Sequence, residues 1–368
     1  MRVLAGGTSG SPQTLISLDS EQVAPELLPV EELAECAQVA FARDGKTILS
    51  YGSGAGYAPL RELIGEWFRV DPARVLLTHG QLHGLALLAG HVARGRGVMV
   101  EYPIHDRAER ALLAAGASLI STPIGEDGIV LEELQGTLGQ YVRPAMVYVV
   151  PSFHNPTGWT TPGASRRRVV DLVITQNLIQ TEQILLVEDE TYALTRFEGE
   201  RVPAIFDYSA GRSVHSSSFS ATVAPGLRVG YLILPEPLAE ELTAVASDSY
   251  ITPVLLAQAT VQEFLARGAF EPHLLRLRDG LRVRRDALLA ALAKHLPDAT
   301  WSEPEGGLFV WVQLPGSPDG REVLSRAEGV AAVDGTRFGS VSSSLRLSFG
   351  FAAPDELEAG VERLAAAL

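Results

Sequence analysis

From Val75 onward, short apolar runs alternate with stretches of helical spacing, and this alternation restricts the fold more than any other feature. Val75 to Thr78, Val98 to Glu101, Ser118 to Thr122, Ala145 to Val150, Ile184 to Val187 and Val229 to Leu234 read as buried strands. Helices are expected between and around them at Leu82 to Arg94, Ser165 to Gln176, Leu238 to Ala246 and Val254 to Arg267. Such a pattern is that of an α/β protein built on an open sheet. Polar loops at the carboxyl ends of its strands are where such sheets hold ligands.

The loops fit that expectation. Ser216 to Gly230 reads SSSFSATVAPGLRVG, a hydroxyl-rich run, a Pro-Gly turn and one arginine entering an apolar strand. Hydroxyls, loop amides and a guanidinium so close together suit a phosphate cradle, or form a polar loop before a buried strand. His79-Gly80-Gln81 is a strand-to-helix turn, and Gly80, Gln81 and Leu82 would present amides at a helix N-terminus, where an anion is favoured. Acids crowd the end of the Ile184 to Val187 run. Asp189 there either caps a helix or opposes a cation. Arg346 sits mid-strand among apolar neighbours and needs a paired anion, from the protein or from a ligand. The Arg166-Arg167-Arg168 run reads as solvated helix surface.

Six separated motifs, in order from about residue 25 to the end, resemble those of fold-type I aminotransferases that use pyridoxal 5′-phosphate. The branch they resemble includes α-aminoadipate and aromatic aminotransferases. The motifs are Tyr51 with Gly56-Tyr57-x-Pro59-Leu60-Arg61, Gly80-Gln81, Glu101-x-Pro103-x-His105, Asn155-Pro156-Thr157-Gly158, Asp189-x-x-Tyr192, and Ser218-x-Ser220 through Arg228, with Leu345-Arg346-Leu347-Ser348 beyond them. The resemblance implies a large domain with a mostly parallel seven-stranded sheet between helices and a smaller α/β domain. The expected division is an arm and small-domain segment at 1–45, a large cofactor domain at 46–270 and a small C-terminal domain at 271–368. A long helix from about Pro272 to Lys294 would lead into the latter.

The resemblance also implies roles. Gly80, Gln81, Leu82, Ser218, Ser220 and Arg228 would hold the cofactor phosphate, joined by Tyr51 from the partner subunit of a homodimer. Asp189 would hold the protonated pyridine nitrogen. Asn155 and Tyr192 would hold the phenolic oxygen, and Arg346, with Asn155, the carboxylate of an amino-acid-like substrate. His105 stands where the family has a ring-stacking tyrosine and brings a titratable nitrogen. Ala221 stands where the family has the lysine that bonds the cofactor and carries the proton. A methyl group can do neither. An impaired aminotransferase that traps its substrate–cofactor adduct is therefore expected. The alternatives are another pyridoxal-phosphate reaction (elimination, replacement or carbon–carbon bond formation) or a natural lysine-less binding protein, with His105 or His154 as a substitute base.

Composition narrows the rest. The 368 residues can bury a large core, with 46% hydrophobic and 20% charged. Lys and Arg number 30 against 44 Asp and Glu, a net charge of −14, which argues against general nucleic-acid binding. One cysteine, Cys36, excludes an intrachain disulfide. With no long apolar run for a signal or a membrane span, a cytoplasmic protein is expected. No metal centre is expected.

Overall fold

The structure is a computed structural model that describes residues 15–139, 144–179 and 183–368. Of the N-terminal arm expected within residues 1–45, the first 14 residues lie outside the described part. Strand β1 (Ile16–Ser17) opens the described chain. The large sheet uses β2 (Val75–Thr78), β3 (Gly97–Tyr102), β4 (Ser118–Gly125), β5 (Gly128–Ile129), β6 (Met146–Val149), β7 (Leu185–Asp189), β8 (Val214–Ser218) and β9 (Gly230–Ile233). Beyond it come β10 (Thr300–Trp301), β11 (Phe309–Gln313), β12 (Val330–Ala331), β13 (Val333–Asp334) and β14 (Ser344–Ser348).

The large sheet runs β2-β9-β8-β7-β6-β3-β4-β5. The pairs β4–β3, β3–β6, β6–β7 and β7–β8 are parallel, and β9 and β2 close one side antiparallel. The six strands placed from the sequence are all present, and β8 supplies the seventh, ending in residues 216–218 of the hydroxyl-rich run. An eighth, the two-residue β5, adds an antiparallel edge to β4. The central strands are apolar because helices cover both faces, so neither face is left to water. Leu76, Val98, Val100, Met146 and Val187 pack with Leu85, Leu88 and Leu112 on one side. Met99, Val147, Val149 and Leu186 pack with Val169, Val170 and Val173 on the other.

The smaller sheet runs β10-β11-β14-β13, antiparallel throughout, with Trp311 opposite Arg346. Helices Phe270–His295 and Pro354–Ala366 pack on it. The arm adds β1 to β12, and backbone bonds carry it onward: Ser348 N donates to Leu18 O at 2.7 Å and Ala24 N to Gly350 O at 2.8 Å. These tethers leave residues 19–23 as a short loop over the end of β14.

Helix boundaries agree with the sequence pattern except at ends. Helix Val30–Ile48 crosses a kink at Asp44, whose φ of −124° is not helical. No helix among the described residues is long and apolar enough to cross a membrane.

Candidate active site

A cavity of about 920 Å³ opens between the carboxyl ends of the large sheet's strands and the edge of the smaller sheet. The sheet contributes one residue set from each loop. Gln81 and Leu82 follow β2, His105 follows β3, Asn155 follows β6, Asp189 ends β7, and Ser218, Ser220 and Arg228 flank the β8–β9 connection. All of these line the cavity, as do Tyr192 and Arg346. Gly80 borders it through Arg228. Ala221 is buried next to Ser220, and its side chain is not part of the lining. Tyr51 is 82% exposed and lies away from this chain's own cavity.

At one end the donors converge. Gly80 has φ +85°, and a Cβ there would come within 2.2 Å of Arg228 Nη2, so only glycine allows the guanidinium this close to the turn. Arg228 itself sits in the left-handed region at φ 53°. Its Nη2 donates to His79 O at 3.0 Å and its Nη1 to Ser220 Oγ at 3.3 Å. Ser220 N donates to Ser218 Oγ at 3.1 Å. Helix Gln81–Val92 starts here with no side-chain cap, leaving its first amides and its dipole directed at the same point. This set suits a doubly charged phosphate.

At the other end lies Asp189, fully within the protein. Tyr148 O–H donates to its Oδ2 at 2.8 Å, while Thr191 N and Oγ1 donate to its Oδ1 at 3.0 and 2.6 Å. Burial raises its pKa and these bonds pull it back. Asp189 organises the following turn through Thr191 and lines the cavity, while the N-cap position of the short helix beyond it, Ala193–Thr195, is Tyr192. Tyr148 was not singled out from the sequence, because inside an apolar strand it reads as core. Its phenol is raised further above its ordinary pKa by burial and by Asp189.

Between these ends, Asn155 Nδ2 is buried without a hydrogen-bond acceptor while its Oδ1 accepts from Arg346 Nη1 at 2.9 Å. An unpartnered buried amide is costly unless a ligand completes it. Burial and the nearby Glu21 carboxylate push the Tyr192 hydroxyl up, so it stays protonated. A phosphorylated pyridine with a phenolic oxygen fits this donor and acceptor set: an anion seat, an orphaned amide and a buried carboxylate.

Arg346 is 2% exposed, with its guanidinium between the rings of Phe309 and Phe338 at 4.3 and 4.9 Å. It meets the anion its burial requires in Glu21, whose Oε1 accepts from Nη1 at 2.9 Å. Glu21 also lies 3.3 Å from His105 Nε2. Sequence reading missed it because nothing in the arm's pattern marks a residue that folds against one 325 positions away. Glu21, His105 and Asp106 come together, but Arg346, Arg110 and Arg337 already hold these carboxylates.

One expectation is overturned. Arg166 is not solvated surface: it is 0% exposed and pairs with Glu190 at 2.7 Å. Its remaining donors reach Thr161 O, Pro151 O and Ser152 Oγ, each at 2.8 Å. The loop after β6 is thereby fixed from below, which holds Asn155 in place. Of the two histidines considered as bases, His154 is buried outside the cavity lining, bonded to Thr157, and held down to about pKa 3 by burial. His105 does line the cavity.

A mostly parallel sheet whose loops set an anion cradle and a buried carboxylate around one cleft, with a second small sheet closing it, is the architecture of the fold-type I pyridoxal-phosphate enzymes. The chain belongs to the class I and II aminotransferases, whose family model matches residues 14–364. It is 35% identical over 357 residues to a 2-aminoadipate transaminase of Thermus thermophilus, covering 94% of this chain and 88% of that protein. It superposes with a TM-score of 0.90 on the α-aminoadipate aminotransferase LysN of Thermus thermophilus, complexed with N-(5′-phosphopyridoxyl)-L-leucine. That match is 32% identical and covers 96% and 92% of the two chains. It is also 30% identical to an uncharacterized HTH-type transcriptional regulator of Bacillus subtilis, over 95% of this chain and 73% of that one.

Proposed function

We propose that this cavity binds pyridoxal 5′-phosphate and an amino-acid-like substrate, and that the scaffold is that of an aminotransferase. The observation that carries the reading is that Asp189 and the Ser218–Ser220–Arg228 cradle line one cavity, with the orphaned Asn155 amide on the same wall. When bound, the cofactor supplies an electron sink for charge released at the substrate α-carbon. The protein's part is positional and electrostatic. Gly80, Gln81 and Leu82 with Ser218, Ser220 and Arg228 hold the phosphate. Asp189 keeps the ring nitrogen protonated. Asn155 and Tyr192 donate to the phenolic oxygen, and the His105 imidazole lies against the ring. Arg346 takes the substrate α-carboxylate through a charge-assisted hydrogen bond.

Ala221 removes the group that would anchor the cofactor and carry a proton to and from the α-carbon. We infer that alanine here replaces a lysine in an otherwise complete site, and that turnover in this form is severely reduced. Exposed Tyr51 supports a homodimer. Leu49, Ile251 and Val254 are exposed apolar side chains near it, and Gly52 N joins the two loops by donating to Thr252 Oγ1 at 3.2 Å. A second copy docking there would bring Tyr51 to its partner's phosphate. The division at about residues 45 and 270, and a cytoplasmic location for a chain with one buried thiol, belong to the same reading.

An Ala221→Lys protein mixed with pyridoxal 5′-phosphate should develop an absorption band that borohydride fixes covalently, and should form 2-oxo acids from some members of an amino-acid panel. A folded Ala221→Lys protein without the band refutes the exchange of a lysine. A band without 2-oxo acids, but with eliminated or condensed products, turns the assignment to another pyridoxal-phosphate reaction.

A further inference from the structure

We infer that Glu21 is a resident carboxylate occupying the seat that Arg346 offers to a substrate carboxylate, so that substrate binding is an exchange of one carboxylate for another. This rests on the assignment of Arg346 proposed above. The guanidinium is confined by Phe309 and Phe338, and Nη2 is already committed to Asp19 O at 3.2 Å. Nε is buried without a partner. Nη1 is shared between Asn155 and Glu21, both of which line the cavity. An incoming carboxylate that engages Nη1 therefore meets the Glu21 carboxylate at the same point, and two like charges in contact repel.

The arm makes the exchange a matter of one side chain. Its backbone is tied to β14 and its extension at Leu18 and Ala24, on either side of residues 19–23. The Glu21 side chain keeps 23% of its surface in solvent and has a second place to go: Arg107 Nε lies 3.5 Å from its Oε2 and is itself largely exposed. Rotation toward Arg107 frees Nη1 without moving the arm. Glu21 thus sets a threshold for carboxylate ligands and keeps the buried arginine paired when no ligand is there. That pairing answers the cost of burying a lone charge.

The test is titration calorimetry with 3-phenylpropionate, a carboxylate without an amine, and with its uncharged amide as a control. Glu21→Gln and Glu21→Ala should each bind 3-phenylpropionate on the order of tenfold more tightly than the parent chain, because a charge-assisted bond no longer competes. Binding of 3-phenylpropionamide should be unchanged across all three proteins. If both variants bind the carboxylate no more tightly than the parent, or if the amide gains as much as the acid, the exchange is refuted. Arg346→Gln separates the two levels of the argument. If it lowers carboxylate affinity while the Glu21 variants leave it unchanged, only the exchange falls. If it leaves the affinity of every protein unchanged, Arg346 is not the carboxylate seat and the assignment beneath it falls as well.

Discussion

Replacing Asp189 with asparagine should leave the fold standing and remove most of the affinity for pyridoxal 5′-phosphate. Asparagine keeps an oxygen in place of Oδ1, so the bonds from Thr191 N and Oγ1 survive. Its amide nitrogen replaces Oδ2 against Tyr148, whose hydroxyl can turn from donor to acceptor. The Tyr148 hydroxyl, which also accepts from Gln81 Nε2 at 3.4 Å, gives up one hydrogen-bond acceptor at the cavity wall, a cost of about 1–3 kcal/mol, so the melting temperature should fall by only a few degrees. The lost quantity is the charge. A buried carboxylate opposed to a bound cation is a pair whose one-sided removal costs about 3–5 kcal/mol, roughly a hundred- to several-thousand-fold in the dissociation constant at 1.4 kcal/mol per decade. Absorbance titration of the purified chain with the cofactor near pH 7 measures it directly. The parent with Ala221 is the right background, since there binding has no covalent part. Asp189→Ala should lose the same affinity and stability too, because Tyr148 and Thr191 are left unpaired at about 1–3 kcal/mol each. An Asp189→Asn protein that binds the cofactor within threefold of the parent would refute the role given to this carboxylate.

Three further outcomes follow from single contacts. Gly80→Ala should weaken cofactor and inorganic phosphate binding alike, since its Cβ would meet Arg228 Nη2 at 2.2 Å in a backbone region unfavourable to alanine; equal affinity in a calorimetric titration would contradict the cradle. Arg166→Met should destabilise the protein by about 3–5 kcal/mol, because the buried Glu190 loses its ion partner and Thr161 O, Pro151 O and Ser152 Oγ lose their donor; a chemical-denaturation shift under about 1 kcal/mol would count against it. Glu101 is raised by burial from 4.5 to about 8, so the folded state holds a proton there that the unfolded state releases. The contribution of this group is present below pH 4.5 and is lost as pH rises toward 8, with a slope approaching about 1.4 kcal/mol per unit in that window. Glu101→Gln should flatten that decline in denaturation curves taken across the window, and an unchanged slope would exclude Glu101 as its source.

Most of the strands could be read directly, because burial on both faces of a parallel sheet demands continuous apolar runs and the loops between them demand glycine, proline and hydroxyl residues; β8, which ends in three serines, escaped that rule. β2 runs from Val75 to Thr78 as expected, and the loops after β2, β3, β6, β7 and β8 meet at one cavity, while the Tyr51 loop does not line it. Periodicity reports only which face of an element is buried, and this is where reading failed. Arg166 has the local context of an exposed helix, yet it lies under the loop after β6 because Glu190 and four backbone or hydroxyl acceptors converge there. Tyr148 reads as core until Asp189 is placed beside it on the neighbouring parallel strand.

The amino-acid order alone determined a doubly covered sheet and the kinds of groups at its loop ends, since both follow from local spacing and residue chemistry. Only tertiary structure decided which charge answers which. Arg346 needs an anion by the physics of burial, but the choice of Glu21 depends on an arm tethered across the small sheet, a contact between residues 325 positions apart that no local pattern encodes.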